Sequence, residues 1–189
     1  KRIKNVHIFE FDTHSEHNQI LDFIFEGNKS VVTQPMSVVF VRGNFNTFQN
    51  CIIRNSSDHG IGFDGQDSSS CKFNIVDNCI INDNDGIGIS NNLGSENKYI
   101  NNTVFNNIKE GISLDNNANF NIVKANRLYN NCVSGGVGSI GIDATNYCII
   151  SDNIISETNL KPGITTQNNI DKCEYNIITG NVISGVAGD

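Results

Sequence analysis

The chain has 189 residues, and its 13 Lys and Arg against 20 Asp and Glu give a formal charge of −7. Affinity for nucleic acid depends on clustered basic side chains, so this balance excludes a protein that binds the phosphate backbone. We see no apolar run long enough to span a bilayer and no signal peptide, so we expect no membrane insertion.

The composition is typical of strands and turns. Hydrophobic residues make up 38%, with two Pro, one Met and no Trp, and Asn is abundant between the apolar runs. Asn and Gly tolerate the left-handed backbone of tight turns, whereas long helices need more Ala, Leu, Glu and Lys than occur here. We therefore expect an all-β fold.

Residues 1–41 are the less regular part of the chain. The stretches NVHIFEFD, DFIFEG and SVVFVRG have the alternation of strands. We interpret them as one or more early coils that carry an insertion from about Thr13 to Pro35. Since the chain opens at Lys1 rather than Met, we expect a fragment of a longer chain, in which 1–41 and 42–189 form a single domain.

Residues 42–189 repeat with a period of about 26. Each repeat has three strand-like phases bounded by Asn, Gly or Asp. The first phase reads NCIIRN, NCIIND, NTVFNN, NRLYNN, NIISE and NVISG. The second reads HGIGFDG, DGIGISN, EGISLDN, IGIDATN and PGITTQN. The third, ahead of the first, reads GNFNTFQN, SSCKFNIVDN, ENKYINN, ANFNIVKAN, NYCIISDN and EYNIITGN.

Three short strands per repeat predict a right-handed parallel β-helix. One coil cannot bury its own apolar face, so like phases must stack into parallel sheets around a continuous core. A leucine-rich repeat would show L-x-x-L-x-L, and a propeller blade would need four longer strands over about 40 residues. Neither pattern is present.

The six cysteines show no CxxC pair and no zinc-like cluster with the four histidines, so we expect no zinc site. Most stand in apolar strand contexts such as NCII. We therefore interpret them as small buried thiols in a protein that folded in a reducing compartment, even if it works outside the cell.

The stretch GNFNTFQNCIIRNSSDHGI, residues 43–61, resembles the coil pattern GNYNTIxNCxxxxNxxxGI of the pectate-lyase-like β-helix superfamily. The resemblance covers nearly the whole chain beyond residue 36. Members include polysaccharide lyases, polygalacturonase-type hydrolases, mannuronan epimerases and phage tailspikes. It implies an extended polysaccharide partner, an extracellular or virion-associated location and, for a tailspike, a homotrimer.

Alternation in the second phase predicts one outward row of mostly small side chains. Inward positions fall to Ile61 and Phe63, Ile87 and Ile89, Ile112 and Leu114, and Ile142 and Ala144. The outward row would then be Gly62, Gly88, Ser113, Asp143 and Thr165. Polar residues flank it: His59, Asp85 and Glu110 on one side, and Asp64, Ser90, Asp115 and Thr145 on the other. We expect a shallow trough with acidic walls.

Glycosidic cleavage needs paired carboxylates, and stacked coils about 4.8 Å apart would supply them. The candidate catalytic residues are Asp64, Asp85, Glu110, Asp115, Asp143 and, as an acid–base side chain, His59. The candidate substrate-binding residues are Asp58, Ser90, Lys109, Ser113 and Arg127. Asp85 with Glu110 would be one coil apart, and Asp64 with Asp115 two. Each Asp can also be explained as a turn former, and stacked Asn as ladders between coils.

Two alternatives stay open at this point. A lyase would take Lys109, Lys124 or Arg127 as its base, with calcium near Asp83 and Asp85, although NDNDG lacks the ligand pattern of an EF-hand. A non-catalytic adhesin or structural shaft would carry the acidic face only as a solvated surface. We expect polysaccharide binding with cleavage, and no cofactor other than that calcium.

Overall fold

The computed structural model describes residues 9–31, 34–66, 70–158, 161–167 and 172–185. These residues form a parallel β-solenoid of about 27 residues per coil with three short strands in each coil. Every strand pairs in parallel with the corresponding strand of the next coil, as the sequence predicted. No helix in this part of the chain is long and apolar enough to cross a membrane.

Sheet 1 contains seven strands and carries the second phase of the repeat. Its order is β1-β4-β7-β10-β13-β16-β19. The strands are β1 Phe9–Phe11, β4 Val39–Val41, β7 Ile61–Asp64, β10 Ile89–Asn92, β13 Ile112–Asp115, β16 Ile140–Asp143 and β19 Ile164–Gln167.

Sheets 2 and 3 carry the other two phases, again with seven strands each. Sheet 2 consists of β2 Gln19–Leu21, β5 Thr47–Gln49, β8 Ile75–Asp77, β11 Lys98–Ile100, β14 Ile122–Lys124, β17 Ile149–Ser151 and β20 Ile177–Thr179. Sheet 3 consists of β3 Ile24–Glu26, β6 Ile52–Arg54, β9 Ile80–Asn82, β12 Thr103–Phe105, β15 Arg127–Tyr129, β18 Ile154–Ser156 and β21 Val182–Ser184.

The described part of the segment from Thr13 to Pro35 supplies strands of the first coil. β2 pairs with β5 and β3 pairs with β6, in register with the later coils. The long connection in this region therefore follows β3, over residues 27–38. Residues 5–8 of the predicted strand NVHIFEFD, residues 32–33 of the expected insertion and Asn168 of the last second-phase repeat lie outside the described residues.

The core is a stack of middle-strand side chains. In sheet 3 the inward residues Phe25, Ile53, Ile81, Val104, Leu128 and Ile155 are 0–2% exposed. Burial of each such side chain contributes roughly 1.5–3 kcal/mol to the free energy of folding. Since the next coil covers each layer, the coils stabilise one another rather than folding singly.

At corners of the coil a residue with left-handed backbone is followed by a buried residue whose side chain bonds to the same position in a neighbouring coil. A series of such bonds is here called a ladder. Asn101, for example, has φ 57°, a conformation that Asn adopts more readily than most residues. The next residue, Asn102, is 1% exposed. Its N–H donates to Asn126 Oδ1 at 2.8 Å, and its own Nδ2 donates to the Val76 carbonyl at 2.9 Å. These ladders explain the abundance of Asn, as expected from the repeat.

Cysteines serve as members of the same ladders. The N–H of Cys51 donates to Cys79 Sγ at 3.4 Å, and the N–H of Cys79 donates to Asn102 Oδ1 at 2.9 Å. Cys148 takes the same place in a second ladder, between Asn121 and Asn176. No disulfide links the six cysteines and five of them are buried, so buried cysteines outside disulfides are confirmed.

Candidate active site on the outer face of sheet 1

The central outward positions of sheet 1 form a row that is here called the floor. From Gly62 to Thr165 its side chains are small, so the floor is shallow. From one coil to the next the row reads Phe40, Gly62, Ser90, Ser113, Gly141 and Thr165. A Cβ on Gly62 would lie 3.1 Å from Ser37 Oγ and 3.2 Å from the Phe40 ring. The floor is therefore closely packed at Gly62, and Ser90 and Ser113 further along it are also buried.

The predicted register is wrong by two residues in one coil. Ile89, not Ile87, pairs with Ile61, so Asn91 occupies the inward place. Asn91 is fully buried and its amide donates to the Gly94 carbonyl at 2.9 Å. A polar residue at an inward position hid the alternation, and Ile87 rather than Asp85 therefore lies beside His59.

The register of the later coil is also shifted by two. Ile140 and Ile142 point inward, where the sequence suggested Ile142 and Ala144, because Ile112 pairs with Ile140. Gly141 thus belongs to the floor. Asp143 moves to the last outward position of its strand, where it follows Asp115 in the next coil.

The last outward positions of the strands form an edge column of charged and amide side chains. The column runs Arg42, Asp64, Asn92, Asp115, Asp143 and Gln167. Asn92 Nδ2 donates to Asp64 Oδ1 at 3.1 Å, and Asn116 Nδ2 donates to Asn92 Oδ1 at 2.8 Å. Asp115 and Asp143 are therefore neighbours, while Asp64 and Asp115 are two coils apart.

Asp115 has the most perturbed carboxyl on this face. Its pKa is raised to about 6, chiefly by burial and also by the nearby charges of Glu110 and Asp143. The Ser113 hydroxyl lies 2.9 Å from both carboxyl oxygens and donates to one at a time, which lowers the pKa in part. Asp115 is thus substantially protonated near pH 6.

Glu110 lies on the side of the floor opposite the edge column. The residues His59, Ile87 and Glu110 on that side are here called the wall. Glu110 is 7% exposed, and the N–H of Val137 donates to its Oε1 at 2.8 Å. A Cβ on Gly141 would lie 3.4 Å from Glu110 Cγ and from Ser113 Oγ. Val137 Cγ2 lies at the same distance, so the buried Gly141 lies closely packed between Glu110 and the Ser113–Asp115 pair.

His59 stands on the same wall as Glu110, with Ile87 between them. Its Nδ1 accepts the Ile87 N–H at 3.0 Å, so that nitrogen carries no proton and the neutral ring holds its proton on Nε2. Burial lowers the pKa of His59, Asp58 raises it, and Lys109 lowers it. Asp58 Oδ1 is 3.4 Å from Nδ1, a contact that strengthens only when the ring is protonated.

Two cationic and aromatic residues on this face were missed by sequence reasoning. The Arg42 guanidinium lies 4.6 Å from the Phe40 ring centroid, 3.1 Å from Glu10 and 3.5 Å from Asp64. The alternation of SVVFVRG places both side chains outward once Val39 and Val41 are inward. That pattern could have identified them.

Three predicted site residues lie away from the floor and the edge column. Asp85 Oδ1 accepts from Lys29 Nζ at 2.9 Å at an exposed corner, outside the column of His59 and Glu110. Arg127 begins β15 of sheet 3, on a different face. Lys109 is exposed, and its N–H donates to the Gly86 carbonyl at 3.1 Å, whereas Ser90 and Ser113 lie on the floor.

The family "Right handed beta helix region" matches residues 10–132 and 37–188. The chain belongs to this family. The superfamily suggested by the coil pattern is thereby confirmed. No curated protein is significantly similar to the sequence of this β-helix.

Solved structures share the fold at low sequence identity. The A-module of the mannuronan C-5 epimerase AlgE4 of Azotobacter vinelandii has TM-score 0.55 and 13% identity, over 94% of this chain and 72% of that one. AlgE6 from the same organism gives 0.61 and 14% over 90% and 51%. Pectate lyase Pel9A gives 0.50 and 13% over 90% and 51%. The β-helix thus spans about half to about three-quarters of these chains.

Metal binding by the β-helix stays a prediction. The described residues contain no group of three or more His, Cys, Asp or Glu side chains placed to hold an ion. Lys29 Nζ donates both to Asp85 and, at 2.8 Å, to the Asp83 carbonyl. The Lys29 ammonium therefore contacts both residues suggested for calcium, through the Asp83 carbonyl and the Asp85 carboxylate.

Proposed function

We propose that this β-helix binds an extended polysaccharide along the outer face of sheet 1 and hydrolyses glycosidic bonds there. The observation that carries the proposal is the convergence of Asp115, Asp143 and Glu110 around Gly141. Ser113 completes this group through its hydrogen bond to Asp115.

The shape and chemistry of the face suit a long, hydroxylated ligand. The row of small side chains covers the five strands from β7 to β19, which at ~4.8 Å spacing span about 19 Å. Asn92 and Gln167 offer amides along one edge. At one end Arg42 and Phe40 supply a cation and a ring, which suit a sugar carrying negative charge.

The three acids divide the chemical roles in a way that hydrolysis requires. Asp115, with its raised pKa, is the general acid that protonates the glycosidic oxygen. Asp143, one coil away at ~4.8 Å of backbone spacing, is close to the separation of a retaining pair and is the nucleophile at the anomeric carbon. Water then attacks the covalent intermediate, and Asp115 takes the proton of that water.

Glu110 and His59 support the same reaction from the opposite wall. Glu110 adds negative charge beside the place where an oxocarbenium-like transition state develops positive charge. The neutral His59 offers its Nε2 proton to a hydroxyl or carboxylate of the sugar.

The kinds of enzyme that share the fold support a polysaccharide ligand. They include mannuronan epimerases, a periplasmic alginate epimerase and a pectate lyase. An extracellular or virion-associated, tailspike-like setting and a homotrimer belong to the same proposal.

A panel of acidic and neutral polysaccharides tests this function. Release of reducing ends without absorbance of unsaturated products is expected for a hydrolase; unsaturated products would identify a lyase instead. Asp115→Asn and Asp143→Asn should each lower release by at least about a hundredfold, the usual scale for an acid–base group. Asp152→Asn is the matched control, because Asp152 is exposed and pairs with Lys124 on sheet 2.

The rival function is a non-catalytic adhesin or shaft. A glycan that binds to the wild type with no product of either kind would favour it. Equal release by the wild type, Asp115→Asn and Asp143→Asn would reject the catalytic assignment of this face.

A further inference from the structure

Arg127 is an arginine without an acidic partner among the described residues. It begins β15, where Leu128 points inward and Tyr129 outward. Arg42 and Arg54, by contrast, are ion-paired with Glu10 and Glu26. The Arg127 guanidinium instead lies 5.5 Å from the centroid of the Tyr129 ring. It is exposed, so its charge remains available to a ligand.

Tyr129 has one covered and one open face. Its ring stacks on Phe105 at 4.7 Å between centroids and 8° between planes. In the next coil the paired residue is Ser156, and in the coil after that it is Ser184. A serine cannot continue the stack, so the second face of Tyr129 is left without a ring against it.

A cavity occupies the place where the next ring would lie. It has a volume of about 470 Å³ and is lined by Arg127, Leu128, Tyr129, Asn130, Ile154 and Ser156. This volume falls in the range of small-molecule sites. Ile154 is 54% exposed and provides an apolar wall. Asn130 Oδ1 accepts from Thr158 Oγ1 at 2.9 Å, which leaves Nδ2 as a donor.

We propose that this cavity on sheet 3 binds one sugar residue that carries a carboxylate, a hexuronate, as a second glycan site. The pyranose ring lies over Ser156 and against the open face of Tyr129, in the position that a third stacked ring would take. Its C–H bonds carry partial positive charge and meet the negative face of the aromatic ring. The carboxylate of the sugar accepts two hydrogen bonds from the Arg127 guanidinium, and a hydroxyl of the sugar accepts a hydrogen bond from Asn130 Nδ2.

The site is separate from the acids on sheet 1. Arg127 and Tyr129 belong to sheet 3, and neither contributes to the face that carries Asp115. A polysaccharide held here stays attached to the protein while another part of it lies on sheet 1. The binding does not depend on cleavage, so this inference goes beyond the proposed function and does not rest on it.

An NMR titration of the whole chain tests the site. The probes are the methyl glycosides of glucuronic and galacturonic acid, with methyl glucoside as the neutral counterpart. We expect the uronates to bind with a Kd of about 1–10 mM, the affinity of a single small contact, and to shift the Tyr129 ring signals. Arg127→Gln should bring the uronates down to the affinity of methyl glucoside.

Two matched variants decide whether the cavity is the place of binding. Ser156→Phe fills it with a ring in the manner of Phe105, and should weaken uronate binding at least about tenfold. Ser184→Phe adds the same ring one coil further on, leaves the face of Tyr129 open, and should bind as the wild type does. Near-ultraviolet circular dichroism and Tm confirm that both variants are folded.

The result that would overturn the site is uronate binding by folded Ser156→Phe equal to that of the wild type, or no uronate binding by the wild type up to about 50 mM. Reducing-end release from short oligosaccharides should be the same in Ser156→Phe and the wild type. If no variant releases reducing ends, the hydrolase proposal fails while the titration still decides this one.

Discussion

Replacing Asp115 by Asn should make the protein more stable above pH 6 and leave it nearly unchanged at pH 4. In the folded protein burial holds the pKa of Asp115 at about 6, against an ordinary value of 3.8. The folded state therefore favours the protonated carboxyl. Its stabilising contribution is complete below about pH 4 and is lost as the pH rises through 6.

The size of the effect follows from the shift. About two pH units at 1.36 kcal/mol each give an upper value of about 3 kcal/mol. Asp115 is partly exposed, and solvent screens the charge, so we expect about 1–2 kcal/mol. Asn keeps an oxygen that accepts the Ser113 hydroxyl, so the substitution removes the charge and preserves that hydrogen bond.

Thermal unfolding measured at pH 4, 6 and 8 tests this expectation. For a chain of this size 1 kcal/mol corresponds to roughly 2–4 °C in Tm. Asp115→Asn should therefore exceed the wild type by about 2–8 °C in Tm at pH 8. Asp152→Asn, at an exposed position paired with Lys124, is the control for loss of a surface carboxylate. Identical pH dependence in Asp115→Asn and the wild type would show that Asp115 is not desolvated on this face.

Three further substitutions probe the ladders, a buried acid and the floor. Asn126→Ala removes the acceptor for the Asn102 N–H and the donor to the Tyr99 carbonyl, which should destabilise the fold by roughly 2–4 kcal/mol in urea unfolding. Asn126→Cys should be milder, since cysteines already occupy this ladder, and a smaller loss for Ala than for Cys would contradict the ladder account. Glu157→Gln should raise Tm more at pH 8 than at pH 5. Burial raises the pKa of Glu157 to about 7, so its stabilising protonated form is lost as the pH rises through that value. An equal rise in Tm at both pH values would argue against burial as the cause. Gly141→Ala should fold, because its single added Cβ would meet Glu110, Ser113 and Val137 at 3.4 Å, yet it should lower reducing-end release at least about tenfold by displacing Glu110 and Ser113; unchanged release would remove Gly141 from the site.

Sequence alone predicted the β-helix, because the residues that define the fold repeat in every coil. Asn at the corners, β-branched side chains at the middle of strands and cysteines in NCII each satisfy a local requirement that recurs about every 27 residues. The order of the three strands in each coil, the Asn ladders and the buried cysteines follow from that repetition. A local rule that recurs in this way can be read without knowing the tertiary structure.

The candidate site was predicted only in part, for reasons that are not local. Asn91 occupies an inward position, so alternation misplaced the strand and brought Asp85 in place of Ile87 to the side of His59. Glu110 is directed to the floor by the N–H of Val137, 27 residues away. The burial of Asp115 depends on neighbouring coils. The residue types were enough to suggest these acids as candidates. Their burial and their neighbours could be known only from the structure.

The most direct test of the account compares reducing-end release by the wild type, Asp115→Asn and Asp152→Asn on the polysaccharide that gives the strongest signal in the panel. We predict that Asp152→Asn matches the wild type and that folded Asp115→Asn loses at least about a hundredfold in rate. Wild-type activity in Asp115→Asn would contradict the placement of the cleavage site on sheet 1.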